Sequence, residues 1–172
     1  FAENVFMKLW ITMRVNYSLK QINDVVDGTL TGNPETLVES IVTDSRNYIS
    51  TDNPIFIALE GCKSNGHQYI EDAYSRGIVN FIVSKKPAIQ LENANFIIVD
   101  KTLFALQKWA SYHRSKFNIP VIGITGSNGK TIIKEWLYHF LRSHYNIIRS
   151  PKSYNSQLGV PLSLLMINEE HD

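Results

Sequence analysis

The sequence predicts an α/β protein, a small α/β domain followed by the beginning of a second one built on a phosphate loop. Short continuous apolar runs such as Ile55-Phe56-Ile57-Ala58-Leu59 alternate with helix-length amphipathic segments. That alternation is the pattern of buried, largely parallel strands with crossing helices. A long helical stretch is then closed by Asn118-Ile119-Pro120, because proline disfavours helix in the residue before it. Past this break an apolar strand runs into a glycine-rich loop and a further helix.

The elements follow in order. Residues 1–14 are set apart as an extension or tag: they begin with Phe and lack the basic n-region and small-residue cleavage site of a secretory signal. Ser18 and Gln21 form a capping box ahead of the stripe Leu19, Ile22, Val25 and Val26, and Gly28 is placed to end that helix in a left-handed turn. A strand is expected over 38–43 and another over 55–59. A helix over 67–76 puts Tyr69, Ile70, Ala73 and Tyr74 on one side, with Gly77 as its stop. Strands over 79–83 and 96–99 and a helix over 103–117 complete the first part. Beyond the break, a strand is expected over 121–125. Ile132, Ile133, Trp136, Leu137, Phe140 and Leu141 then fall at helical spacing. A strand over 146–148 and a Pro161-initiated helix over 161–166 end the pattern. This gives a first domain over 15–102, then a linking helix and an incomplete phosphate-loop domain over 103–172.

Bulk composition narrows the classes. An apolar content of 44% with 19% charged residues belongs to a globular chain and excludes disorder. A net charge of +1 leaves no basic footprint for nucleic acid. No window approaches the roughly 18 apolar residues that a membrane span requires. The single Cys62 excludes an internal disulfide framework and fits a reducing, cytoplasmic setting. It sits in a polar Gly-Cys-Lys-Ser stretch and reads as an incidental loop residue.

The strongest chemical signal is Gly126-Ser127-Asn128-Gly129-Lys130-Thr131. Glycines let a backbone curl until successive N–H groups face phosphate oxygens, and the following helix N-terminus adds partial positive charge. Lys130 is expected to reach the β- and γ-phosphates of ATP, and the Thr131 hydroxyl to coordinate Mg²⁺. The general motif has glycine five residues before Gly129, where this chain has Ile124, so the loop is a variant. A phosphate loop does not by itself name a reaction.

The wider wording, Gly123-Ile124-Thr125 into the loop, resembles the Mur ligase version Gly-x-Thr-Gly-Ser/Thr-x-Gly-Lys-Thr/Ser. Thr43-Asp44-Ser45-Arg46 resembles an Asp-Ser-Arg segment of the ligases acting on UDP-muramoyl peptides. Residues 55–61 and Asn65-Gly66-His67-Gln68-Tyr69-Ile70 resemble two further elements of theirs. Tyr154-Asn155-Ser156-Gln157-Leu158-Gly159-Val160-Pro161 resembles the Tyr-Asn-Asn-x-x-Gly-x-Pro segment of the members that add D-alanyl-D-alanine. The run from His113-Arg114 through Lys134-Glu135-Trp136-Leu137 is similar to the form of that ligase fused to an alanine racemase, which implies a racemase domain downstream.

The resemblance implies an ATP- and Mg²⁺-dependent ligase of peptidoglycan precursors. ATP phosphorylates the terminal carboxylate of UDP-N-acetylmuramoyl-tripeptide, and the amine of D-alanyl-D-alanine attacks the acyl phosphate. Residue by residue, it places Thr125, Gly126, Ser127, Asn128, Gly129, Lys130 and Thr131 at the ATP phosphates. Ser45, Arg46 and His67 fall at the nucleotide end of the UDP-sugar, and Asn155 and Ser156 at its sugar-diphosphate. Ser156 departs from the second Asn that family members often carry. The family's remaining metal and adenine residues are expected downstream of 162–166, so this chain is expected to be a piece unable to ligate alone. Outside that company the residues keep plainer readings: Asp44-Ser45-Arg46 is equally a turn, and His67 a helix-start histidine. Two alternatives stay open, another amino-acid ligase of the superfamily and a non-catalytic UDP-sugar-binding module.

Overall fold

The computed structural model describes residues 14–48, 52–61, 65–151 and 154–172, so Cys62 and all of the extension except Arg14 lie outside it. The chain divides into two compact units between Trp109 and Ala110. The first contains β1 (Arg14–Ser18), α1 (Leu19–Val26), β2 (Thr29–Thr31), β3 (Leu37–Val42), β4 (Pro54–Ile57), α2 (Ile70–Ser75), β5 (Asn80–Val83) and β6 (Asn95–Ile98). Short 3₁₀ turns at Ser45–Asn47 and Gly66–Tyr69 follow β3 and precede α2. Helix α3 (Thr102–Ser115) contains the division.

The described strands form one six-stranded sheet in the order β1-β3-β4-β5-β6-β2. β3, β4, β5 and β6 are mutually parallel, and the edge strands β1 and β2 pair antiparallel with β3 and β6. Every residue of β4 and β5 is buried, which is why both read as continuous apolar runs rather than alternating ones. On one side Phe56, Phe81 and Phe96 form an aromatic row with Ile70 and Ala73 of α2 in the same core. Phe81 and Phe96 stack at 5.2 Å, and Phe56 meets Phe81 edge-on at 6.3 Å. Alternate residues Ile55, Ile57, Ile82 and Ile97 point the other way by the pleat and are also buried. Leu19 and Ile22 of α1 and Leu106 and Trp109 of α3 are buried as well, with Tyr17 meeting Trp109 edge-on at 5.7 Å.

Helix α1 starts as the sequence predicts. The Ser18 hydroxyl accepts the Gln21 N–H at 3.2 Å, and the Ser18 N–H donates to the Gln21 amide oxygen at 2.9 Å. Its end differs from expectation: Asp27, at φ 53°, takes the left-handed position. Gly28 serves close packing instead, since a Cβ there would come within 2.6 Å of Ile97 Cγ2.

The second unit contains α4 (Lys130–Leu141) and α5 (Gly159–Leu164). Strands expected over 121–125 and 146–148 are not formed among its described residues. A strand is defined by ladder partners, and neither segment has one; Val121 and Ile122 are 62% and 63% exposed. Helix α5 begins at Gly159, ahead of Pro161, with Leu158 at its cap position and no side-chain cap; in the turn before it the Ser156 hydroxyl accepts the Gly159 N–H at 2.9 Å.

Candidate functional site

In the first unit the predicted residues gather beyond the carboxyl ends of the parallel strands, where open α/β sheets place their ligands. Asp44, Ser45 and Arg46 follow β3, Glu60 follows β4, and Ser84 follows β5. Asp44 caps the 3₁₀ turn by accepting the Arg46 N–H, and it grips the Arg46 guanidinium at both ends, Nε to Oδ1 at 2.9 Å and Nη2 to Oδ2 at 2.8 Å. These Arg46 hydrogen bonds hold the Asp44 carboxyl below its ordinary value, against a smaller opposing effect of burial. The Arg46 side chain itself is largely exposed. Ser45 is buried beside Asp72, and its hydroxyl makes no hydrogen bond of proper geometry among the described residues; the closeness of that hydroxyl, and then Arg76, hold the Asp72 carboxyl below the ordinary range.

His67 is fixed from both ring nitrogens. The Ser84 N–H donates to Nε2 at 2.9 Å, so Nε2 is the acceptor and Nδ1 carries the proton, donating to Asn65 Oδ1 at 2.8 Å. Burial pushes the His67 pKa down; Glu60 opposes this, and Lys85 adds a smaller downward push. The Ser84 hydroxyl lies 3.2 Å from Nε2 and donates to Glu60 Oε1 at 2.6 Å. The turn before His67 is held by the Gly66 N–H to the Leu59 carbonyl at 2.7 Å. Only glycine fits there: a Cβ would sit 2.6 Å from Leu59 N and 2.8 Å from Ala58 C. Glu60, Asn65 and Ser84 escape sequence reasoning as site neighbours. Asn65-Gly66 is a legible cap-and-turn signal, but nothing local connects Ser84 to His67.

In the second unit, Gly126 at φ 148° and Gly129 at φ 77° hold backbone conformations that side chains disfavour, and the loop curls between them. Thr125, Gly126, Ser127, Asn128 and Gly129 are exposed. Gly129 stands at the N-terminus of α4 without a side-chain cap, so first-turn N–H groups face outward from the helix start. Lys130 folds back over the loop, its Nζ donating to the Gly126 carbonyl and lying 3.4 Å from that of Ser127. Thr131 is exposed beside it in the first turn. Such a loop offers N–H donors, a helix N-terminus and an ammonium to one anion. Further along, Asn155 is exposed, and Ser156 is exposed while its hydroxyl accepts the Gly159 N–H. Among the described residues no group of three or more His, Cys, Asp or Glu side chains could hold a metal, and no helix is long and apolar enough to cross a membrane.

Fold and loop together define an α/β protein with a phosphate-type glycine loop at the start of a helix. Residues 124–172 match the family model described as the Mur ligase middle domain. The chain belongs to the Mur ligase family. It is similar to the UDP-N-acetylmuramoyl-tripeptide–D-alanyl-D-alanine ligase of Bacillus subtilis, 32% identical over 158 residues, covering 90% of this chain and 34% of that protein. The ligases of the same name from Synechocystis and Escherichia coli are 37% and 30% identical, covering 78% and 92% of this chain and 29% and 34% of theirs. Crystal structure I of MurF from Acinetobacter baumannii superposes with a TM-score of 0.84 at 28% identity, covering 92% of this chain and 34% of that one. The MurF ligase of Thermotoga maritima in complex with ADP gives 0.65 at 29% identity, over 77% of this chain and 30% of that one. The chain thus spans about a third of the length of the relatives it matches.

Proposed function

We propose that this chain forms the UDP-muramoyl-peptide-binding part, over 15–102, and the ATP-phosphate-binding part, over 103–172, of a ligase that joins D-alanyl-D-alanine to UDP-N-acetylmuramoyl-tripeptide. The observation that carries the reading is the loop from Gly126 to Thr131, wound through two positive-φ glycines into the uncapped start of α4 within the segment matching the Mur ligase middle domain. The ADP bound by the Thermotoga maritima relative and the D-alanyl-D-alanine in the names of the curated relatives support ATP and that amine as substrates.

A carboxylate is a poor acyl donor because its leaving group would be oxide, and transfer of the ATP γ-phosphoryl to it supplies a good one. In such a reaction the protein mostly positions groups and neutralises charge. The loop N–H groups and the α4 N-terminus orient the phosphates. The Lys130 ammonium leaves the Gly126 and Ser127 carbonyls for the β- and γ-phosphate oxygens, where charge builds up. Thr131, exposed next to Lys130, would hold Mg²⁺ through its hydroxyl, a hard oxygen donor of the kind this ion takes. When bound there, Mg²⁺ supplies charge neutralisation across the phosphates. In the first unit, the Arg46 guanidinium and the edge around His67 offer cationic and hydrogen-bonding contacts to a nucleotide sugar.

The test is titration of Mg·ATP and of UDP-N-acetylmuramoyl-tripeptide into this chain, alongside its Lys130→Ala variant. The expected result is binding of both by the parent, with ATP affinity reduced by about a hundredfold in Lys130→Ala and the UDP-sugar unaffected. Parental ATP affinity in the folded variant sinks the assignment of the loop.

A further inference from the structure

The second unit carries a cluster that the proposed chemistry does not use, on the side of α4 one turn beyond Lys130. Lys134 Nζ donates to the Ser150 carbonyl at 2.7 Å and lies 3.4 Å from Glu135 Oε1, with only 15% of its side chain exposed. Arg149, the residue before Ser150, pairs with Glu135 and lays its guanidinium 3.9 Å over the Tyr138 ring. Side chains of α4 thus hold both the Ser150 carbonyl and the Arg149 guanidinium.

A helix-surface lysine ordinarily leaves its ammonium in water, and covering it costs solvation. Burial, and then the neighbouring Arg149 charge, push the Lys134 pKa below its ordinary value. An apolar side chain of the same length would fill this space without that cost. What only the ammonium supplies is a charge-assisted hydrogen bond of fixed direction to one carbonyl.

From that carbonyl a continuous set of contacts leads to Asn155 and Ser156. The Tyr154 N–H donates to the Pro151 carbonyl at 3.1 Å. Tyr154 packs on Gly159 so closely that a Cβ at 159 would lie 2.9 Å from its own Cβ. The Ser156 hydroxyl then accepts the Gly159 N–H. The 154–159 turn is therefore suspended between the Ser150 carbonyl at one end and α5 at the other.

We propose that Lys134 is a positioning residue: it ties the turn carrying Asn155 and Ser156 to the helix that carries Lys130, so that the two ligand-facing segments keep a fixed geometry. The inference rests on the reading of Asn155 and Ser156 as UDP-sugar contacts. Lys130 and Lys134 lie four residues apart and so share one face of α4. The substrate carboxylate must meet the γ-phosphoryl within a near-attack distance, and a misplacement of about 1 Å is costly in such a geometry. Lys134 touches neither ligand and acts through the Ser150 carbonyl.

The experiment compares this chain with Lys134→Met, which keeps the stem and loses the ammonium, and with Lys134→Arg, which keeps a charged donor. Titration with UDP-N-acetylmuramoyl-tripeptide and with Mg·ATP is joined to amide hydrogen exchange. Lys134→Met is expected to bind the UDP-sugar about tenfold more weakly, to keep ATP affinity within about twofold because the loop contacts remain, and to exchange faster at Tyr154 and Gly159. Lys134→Arg is expected to restore the sugar affinity and the slow exchange. Parental sugar affinity in Lys134→Met overturns the proposal. So does an equal loss of both ligands, or a Met variant that does not fold, because each assigns Lys134 to general stability. A parent chain that binds neither ligand overturns the reading of the site, while the exchange rates at Tyr154 and Gly159 still decide whether Lys134 holds the turn.

Discussion

Gly66 and His67 show how much one turn decides. The Gly66 backbone lies against Ala58 and Leu59 so tightly that the added methyl of Gly66→Ala would meet backbone atoms at 2.6–2.9 Å. Backbone has no rotamer to yield, so the turn itself must move and take the His67 ring with it. Gly66→Ala is expected to lower stability by about 2 kcal/mol, within the usual range for overpacking, read as a fall in the urea midpoint with an unchanged slope. Loss of the Ser84 N–H···His67 bond should accompany it, visible as faster exchange of the Ser84 amide; a variant as stable as the parent, with that amide still protected, contradicts the packing argument. At this scale the sequence is only half legible. The Asn65-Gly66-His67 signal is local, so its turn can be read from neighbours. Ser84 and Glu60 join His67 through the parallel pairing of β4 with β5, which no local pattern encodes.

Elements were legible in proportion to their burial and the locality of their signals. β4, β5 and β6 stand out because strands covered on both faces must be mostly apolar, while β3 is marked by Leu37, Val38, Ile41 and Val42 around Glu39 and Ser40. β2 escaped because three residues, Thr29–Thr31, show no period, and β1 because its alternation of exposed Arg14 and Asn16 with buried Val15 and Tyr17 spans only five residues rich in polar side chains. The segments 121–125 and 146–148 show the converse: apolar composition alone makes no strand without a partner to complete the ladder. The phosphate loop was readable because its glycines, lysine and threonine are contiguous. Ser156 adds a local explanation for a departure from the family wording, since its hydroxyl accepts the Gly159 N–H in the turn that leads into α5. Serine and asparagine side chains can both accept such a bond from an N–H three residues on, whereas alanine cannot. Ser156→Ala should therefore cost about 1 kcal/mol and Ser156→Asn close to nothing, as compared by thermal unfolding. Equal losses in the two variants would show that the hydroxyl does not hold the turn.

Across the whole molecule, each unit holds one histidine whose neutral form burial favours. His67 in the first unit accepts the Ser84 N–H, and His113 in the second is buried with Nε2 2.8 Å from the Ile167 carbonyl. Burial pushes both pKa values below the ordinary 6.5; for His113 the Ile167 carbonyl opposes this and Lys116 adds to it. As pH falls through 6.5, the unfolded chain takes up protons at these two positions, and the folded chain takes them up only at lower pH. The unfolded state then binds more protons, so stability rises with pH in this window and declines as pH falls toward the folded-state values. Asp44 and Asp72 act lower down: their pKa values are depressed from 3.8, so their contribution is present above that value and lost beneath it. The expected profile of unfolding temperature is flat from pH 8 to about 7, falls through a first step starting near 6.5, and falls again below about 4. His113→Gln, which cannot be protonated, should reduce the first step and leave the second. An unfolding temperature that is constant between pH 7.5 and 5 would mean that the folded chain accepts those protons without cost, and that neither ring depends on its neutral form.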